Sequence, residues 1–153
     1  MRKIIFITSI LTFTLCLTAG KMQDNKAKEN SKKTDLELVE KYWKLIELSG
    51  DPVVIEDNNA KEPHIIFKAE GNKFNGNTGC NSFFGSYKTK EPGRISFSEV
   101  GSSMKMCLEM GVTEEKFLQA IKKADSYVVA NDTLSLNKAR MAPLARFIAV
   151  YLK

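Results

Sequence analysis

From Tyr42 onward, apolar and polar residues alternate in short runs separated by turn-forming clusters. Alternation with period two marks half-buried strands. "YWKLIEL", Tyr42 to Leu48, reads as a strand ended by Ser49-Gly50-Asp51-Pro52, and "VVI", Val53 to Ile55, as a short extended piece. "HIIFKA" (His64 to Ala69) and "KFNGN" (Lys73 to Asn77) flank a Glu70-Gly71-Asn72 turn, which predicts a hairpin. "SFFGSYKT", Ser82 to Thr89, is a further strand. The glycine inside it, Gly85, marks a bulge or a close backbone approach. "RISFSEV", Arg94 to Val100, puts Ile95 and Phe97 on one face, while "SSMKMC", Ser102 to Cys107, is ambiguous. "SYVVA", a turn at Asn131-Asp132, "TLSLN" and "ARFIAVYL" (Ala145 to Leu152) complete the series. The last run is apolar on both faces and is expected in the middle of the sheet.

One segment has the helical period instead. In "TEEKFLQAIKKA", Thr113 to Ala124, the residues Phe117, Leu118, Ile121 and Ala124 form one apolar stripe. Thr113 is the expected N-cap, with Glu114 and Glu115 at the positive end of the helix dipole. A helix with a single stripe lies on a sheet. The pattern predicts an α+β fold: a curved, mostly antiparallel sheet, partly open and barrel-like, packed on one α-helix.

The chain before this domain has a different character. Arg2 and Lys3 precede the uncharged run "IIFITSILTFTLCLTA", Ile4 to Ala19. That layout predicts a secretory signal peptide over residues 1–20, cut near Thr18-Ala19-Gly20. Cys16 offers an alternative, a lipid anchor, although Leu15 is larger than the residue that usually precedes a lipidated cysteine. The run is short of the about 20 residues of a membrane span, and no second one follows. Residues 21–35 are polar and lysine-rich, a composition expected of a flexible linker. The folded domain is placed at 36–153. The net charge of +5 falls to +3 without Arg2 and Lys3, and no basic patch is interleaved with aromatics, so nucleic acid is not an expected partner. Lys88, Lys90 and Arg94 read as a solvated rim.

Candidate chemistry centres on "FNGNTGCNSFFGSY", Phe74 to Tyr87, where Cys80 stands between Gly79 and Asn81 in a turn. Three roles compete for Cys80. A disulfide with Cys107 suits the oxidising compartment that a signal peptide implies. It would close a loop of 28 residues, worth about 3.5 kcal/mol on the chain-entropy estimate. A soft-metal site would use Met104, Met106, Cys107 and Met110, sulfur ligands that suit Cu(I). Against it, methionines at 104 and 106 on a strand would face one side as core fillers. A nucleophilic cysteine needs a histidine, and the chain has one, His64, which reads as a strand-edge residue. No G-x-S-x-G, phosphate loop or H-E-x-x-H occurs. Neither an enzymatic activity nor a cofactor is expected.

These residues resemble the META domain family, the family of HslJ-like heat-shock proteins. The likeness lies in the Trp43 strand, in Gly79-Cys80-Asn81, in Phe84-Gly85-Ser86-Tyr87, and in Ser103-Met104-Lys105-Met106-Cys107, followed by a helix with an early Glu115 and an Asp132 turn. It spans about Tyr42 to Leu152. Ser103 stands where threonine is usual, and the ending "NKARMAPLARFIAVYL" is looser than the family pattern. The family motif residues are thus Trp43, Gly79, Cys80, Asn81, Gly85, Tyr87, Met106 and Cys107.

The resemblance implies a bacterial cell-envelope protein, periplasmic or secreted, or else lipid-anchored in the outer membrane. It implies a part in stress or toxic-compound tolerance through binding or scaffolding, with no catalytic residue to carry over. It also implies that Cys80 is one half of a structural disulfide with Cys107. Phe74, Phe84, Tyr87, Phe97 and Trp43 are expected in the core, Trp43 being the one that a cleft would use. The expected partner is an envelope protein or a small apolar ligand, such as a lipid carried in the mouth of the sheet. A copper-binding module, the setting in which related domains occur, is the further alternative.

Overall fold

The structure is a computed structural model that describes residues 36–55, 61–90, 93–106, 111–139 and 141–151. The signal peptide, the linker, Cys16, Cys107 and Met110 lie outside the described residues. Nine strands follow along the chain: β1 (Tyr42–Leu48), β2 (Asp51–Pro52), β3 (His64–Phe67), β4 (Lys73–Asn77), β5 (Ser82–Lys90), β6 (Arg94–Ser102), β7 (Ser126–Ala130), β8 (Thr133–Asn137) and β9 (Pro143–Val150); all but β2, which falls in the expected turn, lie where the sequence pattern predicts a strand. One helix, α1 (Gly111–Lys123), runs between β6 and β7, and a 3-10 turn, Glu70–Asn72, joins β3 to β4. Among the described residues all strand pairings are antiparallel, and the β1–β9 pairing brings the sheet round into a ring. The seam between β6 and β7 rests on a single pair, Arg94 with Ser126, beside α1. This is an α+β architecture with a curved sheet.

Two bulges set which residues face inward. In β1, Ile46 is an extra residue opposite Phe147 and Arg146 of β9. The inward series therefore runs Trp43, Leu45, Leu48, and Ile46 faces out. In β6, Glu99 and Val100 together stand opposite Gly85. Glu99 takes a left-handed φ of 54°, unfavourable for a residue with a side chain. Gly85 is also a close approach: a Cβ there would lie 2.5 Å from Phe74 Cζ and 2.9 Å from the Ser98 carbonyl oxygen. Both meanings of the strand glycine hold.

Aromatic rings occupy the inside of the ring. Contacts pass from Phe97 to Phe74 (5.3 Å between centroids), Phe83 (6.1 Å), Phe117 (5.3 Å) and Phe147 (5.9 Å). Phe117 thus ties α1 to both β5 and β9, with Ile121 and Ala120 buried beside it. Trp43 is wholly buried, and its Nε1–H donates to the Leu38 carbonyl (2.8 Å). It lines no cleft.

Several expectations need correction. The strand pairing with β1 falls on Asp51 and Pro52, in the expected turn, rather than on the extended piece Val53 to Ile55 that follows. The helix begins at Gly111, so Thr113 lies inside it and is not the N-cap. Phe84 is 60% exposed, because strand alternation puts Phe83, in phase with Gly85 and Tyr87, inside. His64 is the end residue of its strand but not at an edge of the sheet: β3 has β1 on one side and β4 on the other. The final strand does have neighbours on both sides, β1 and β8, yet only one of its faces is buried. Met104 and Met106 are 96% and 92% exposed on a segment without strand pairing, so they fill no core.

Candidate functional site

The turn between β4 and β5 is a polar knot. Asn77, Thr78 and Asn81 are buried, although each is polar. Burying such groups is tolerable only when their hydrogen bonds are made. Asn77 Oδ1 accepts from the Gly79 N–H (2.8 Å). The Thr78 N–H donates to the Asn81 carbonyl (2.8 Å), and the Asn81 N–H donates back to Thr78 Oγ1 (3.0 Å). Gly79 takes φ +104°, open to glycine and strained for other residues. These bonds fix the turn and aim the Asn81 side chain away from the sheet.

That side chain uses its full hydrogen-bonding capacity. Its Oδ1 accepts from the Lys105 N–H and the Ser103 hydroxyl, both at 2.8 Å. Its Nδ2 donates to the Lys105 carbonyl (3.2 Å) and to Glu114 Oε2 (2.9 Å). An amide offers two donors and two lone pairs, and all four are engaged. Toward Lys105 it behaves as a second strand would, meeting N–H and C=O of one residue together. Asn81 therefore clasps three pieces of chain: its own turn, the segment after β6, and the first turn of α1. Among the described residues no buried side-chain nitrogen or oxygen lacks a partner.

The clasp brings Cys80 to the same segment, with its Sγ 4.0 Å from the Lys105 carbonyl oxygen. Cys107 follows two residues later and lies outside the described residues. Beside the clasp, residues 102–106 and α1 border an open cleft of about 630 Å³. Met104, Met106 and Leu118 give it an apolar side, and Lys105, Glu115 and Lys122 give it charge of both signs.

Tyr87 is buried, its ring edge-on to Phe67 (5.1 Å) and its hydroxyl donating to the Lys68 carbonyl (3.0 Å). His64 stacks on Tyr42 (4.2 Å), and its Nδ1 lies 2.8 Å from the Glu62 carbonyl oxygen. A carbonyl only accepts, so Nδ1 carries the proton. Burial, reinforced by the Glu62 charge and hydrogen bond, pushes the Tyr42 hydroxyl up to about 12.

The sequence reading leaves Thr78 out, and it names Lys105 only within the motif and Glu114 only for the helix dipole, none of them as a partner of Asn81. Glu115 stands out as the early helical glutamate, yet Glu114 is the one that meets Asn81, while Glu115 accepts from Gln119 (3.0 Å). A buried turn of the form Asn-Thr-Gly-Cys-Asn was the available signal for Thr78.

Residues 35–151 match the META domain. No curated protein matches the chain significantly. Among solved structures, a protein determined by NMR superposes with a TM-score of 0.59 at 20% identity, covering 75% of this chain and 93% of its own. An NMR structure of a protein from Burkholderia xenovorans has a TM-score of 0.59 at 21% identity, covering 75% of this chain and 85% of its own. At such identities the likeness concerns the fold, here the ring of strands packed on α1. With the match spanning nearly the whole described domain, the chain belongs to the META domain family.

Proposed function

We propose that this META domain is a non-enzymatic module of the cell envelope, periplasmic or secreted, which supports stress or toxic-compound tolerance by binding or scaffolding a partner at the cleft beside α1. The observation that carries this reading is the exposure of Met104 and Met106 at the cleft rim, because large apolar side chains turned to solvent mark contact surfaces. The polar residues of the motif bond one another rather than presenting a nucleophile with its base. The carrier alternative gains no support from the interior, where aromatic rings stand in line through the ring of strands.

A disulfide between Cys80 and Cys107 belongs to the proposal. Its support is the position of Cys80 Sγ beside Lys105, within two residues of Cys107. Two extended residues reach about 7 Å, comparable to the α-carbon separation of a bridge. The copper alternative needs Cys107 as a thiolate, so bridge and copper site exclude one another. Mass of the mature protein under alkylation, with and without reduction, separates them. The bridge gives no reactive thiol before reduction; two reactive thiols would overturn it. The same spectrum shows a start near Lys21 or a lipid on Cys16.

Binding at the cleft is tested by complementation. A strain lacking the protein, challenged with toxic compounds, is expected to recover with the natural chain. It should fail with Met104→Glu plus Met106→Glu, a change on exposed positions that leaves the fold intact. Full recovery with the double variant would remove the cleft from the account.

A further inference from the structure

Two methionines within three residues, each almost fully exposed, have no packing role. Met141, at 67%, is visibly more covered. Their segment is nonetheless held in place. Lys105, between them, is tied through its N–H and its carbonyl to Asn81, and the Ser103 N–H donates to the Ser82 carbonyl (2.9 Å). Among the described residues the backbone groups of Met104 and Met106 make no hydrogen bond. Side chain and backbone of both are open at this edge of the domain.

We propose that Met104 and Met106 form a reversible oxidation site for two-electron oxidants of the peroxide class. A thioether lone pair attacks one peroxide oxygen, the O–O bond breaks and an S–O bond forms. The departing hydroxide takes up the proton released from the transferred oxygen and leaves as water. Sulfur loses two electrons and the peroxide gains them, so thioether and hydrogen peroxide become sulfoxide and water. A sulfoxide in a core disrupts packing. Here neither sulfur touches the core, so the fold survives the change. Reduction back to the thioether requires a sulfoxide reductase to reach the residue, and the open edge gives that access. The site does not depend on a cleft ligand, although oxidation would turn the apolar rim polar and weaken any apolar partner.

The test is a hydrogen peroxide time course on the mature chain, with peptide mapping by mass spectrometry and thermal unfolding of each sample. Met104 and Met106 should each gain one oxygen several-fold faster than Met141, with an unchanged unfolding midpoint. A thiol-driven sulfoxide reductase should then restore both. Oxidation of Met141 at the same rate, a lowered midpoint once residues 104 and 106 are modified, or sulfoxides that resist the reductase would each overturn the proposal. Met104→Leu plus Met106→Leu, which keeps the fold, should reduce the early uptake by two oxygens; unchanged uptake would also overturn it.

Discussion

The aromatic interior and the Asn81 clasp both hold distant parts of the chain together, by different physics. Inside the ring, Phe83, Phe117 and Phe147 join β5, α1 and β9 through area and shape, with no single atom decisive. At the clasp, one amide joins a turn, an extended segment and a helix through four directional bonds. Burial is forgiving of the choice of apolar residue. A saturated hydrogen-bond hub is not, since removing one partner leaves others unmet in a dry place. A motif read residue by residue is expected from the second kind of structure, without any catalytic demand.

The largest effect separating the two belongs to Phe117→Ala. It opens a cavity where α1 meets β5 and β9 and should cost about 3–5 kcal/mol in denaturant unfolding. A loss below about 1 kcal/mol would mean that the helix is not anchored by this ring. Asn81→Asp keeps the shape but loses both donors and sets a carboxylate against Glu114. A loss of about 1–3 kcal/mol is expected, together with loosening of residues 103–106 and unaffected strands elsewhere. Uniform loosening of the domain would erase the distinction between core and clasp.

Gly85→Ala tests the interior from the opposite direction, by overfilling. The new methyl meets the Phe74 ring and the Ser98 carbonyl, for an expected loss of about 1–3 kcal/mol. A neutral result would show that β6 yields at its bulge.

Acid and base act outside both regions. The Ala69 N–H, then Lys68, holds Glu40 below its ordinary 4.5; the Ser86 hydroxyl, then Lys73, does so for Glu99; the Ala139 N–H lowers Asp125 below 3.8. Each folded value is depressed, so the stabilisation is present above the ordinary value and is lost as pH falls through the lower one. For Tyr42 the sign reverses. Its folded value is raised from 10.0 to about 12, so its contribution is complete below 10.0 and lost as pH rises toward 12. Midpoints should decline at both ends and stay level between; a decline beginning near neutrality would contradict this. Smallest of all is Lys73→Ala in the exposed Ser86–Glu99 network, expected below about 1 kcal/mol.

Much of the ring was legible because period-two alternation survives wherever one strand face is buried. β4, β7 and β8 coincide with their sequence patterns residue for residue. What escaped depended on one-residue shifts or on distance along the chain. The bulge at Ile46 reverses the facing of β1 partway along, which no local composition announces. Phe84 reads as core by residue type, although the inward phase of Gly85 and Tyr87 falls on Phe83. Methionines 104 and 106 read as core fillers because their spacing suits one face of a strand, and no strand forms there. Their exposure follows from Asn81, 24 residues before Lys105 and 33 before Glu114. Local pattern cannot see contacts at that range.

The clasp is tested most directly by amide hydrogen exchange, residue by residue, along 103–106. The Lys105 N–H, bonded to Asn81 Oδ1, should exchange slowly, while its neighbours at Met104 and Met106 exchange quickly, and the contrast should vanish in Asn81→Asp. If Lys105 exchanges as fast as its neighbours in the natural chain, Asn81 does not hold this segment and the central claim is wrong.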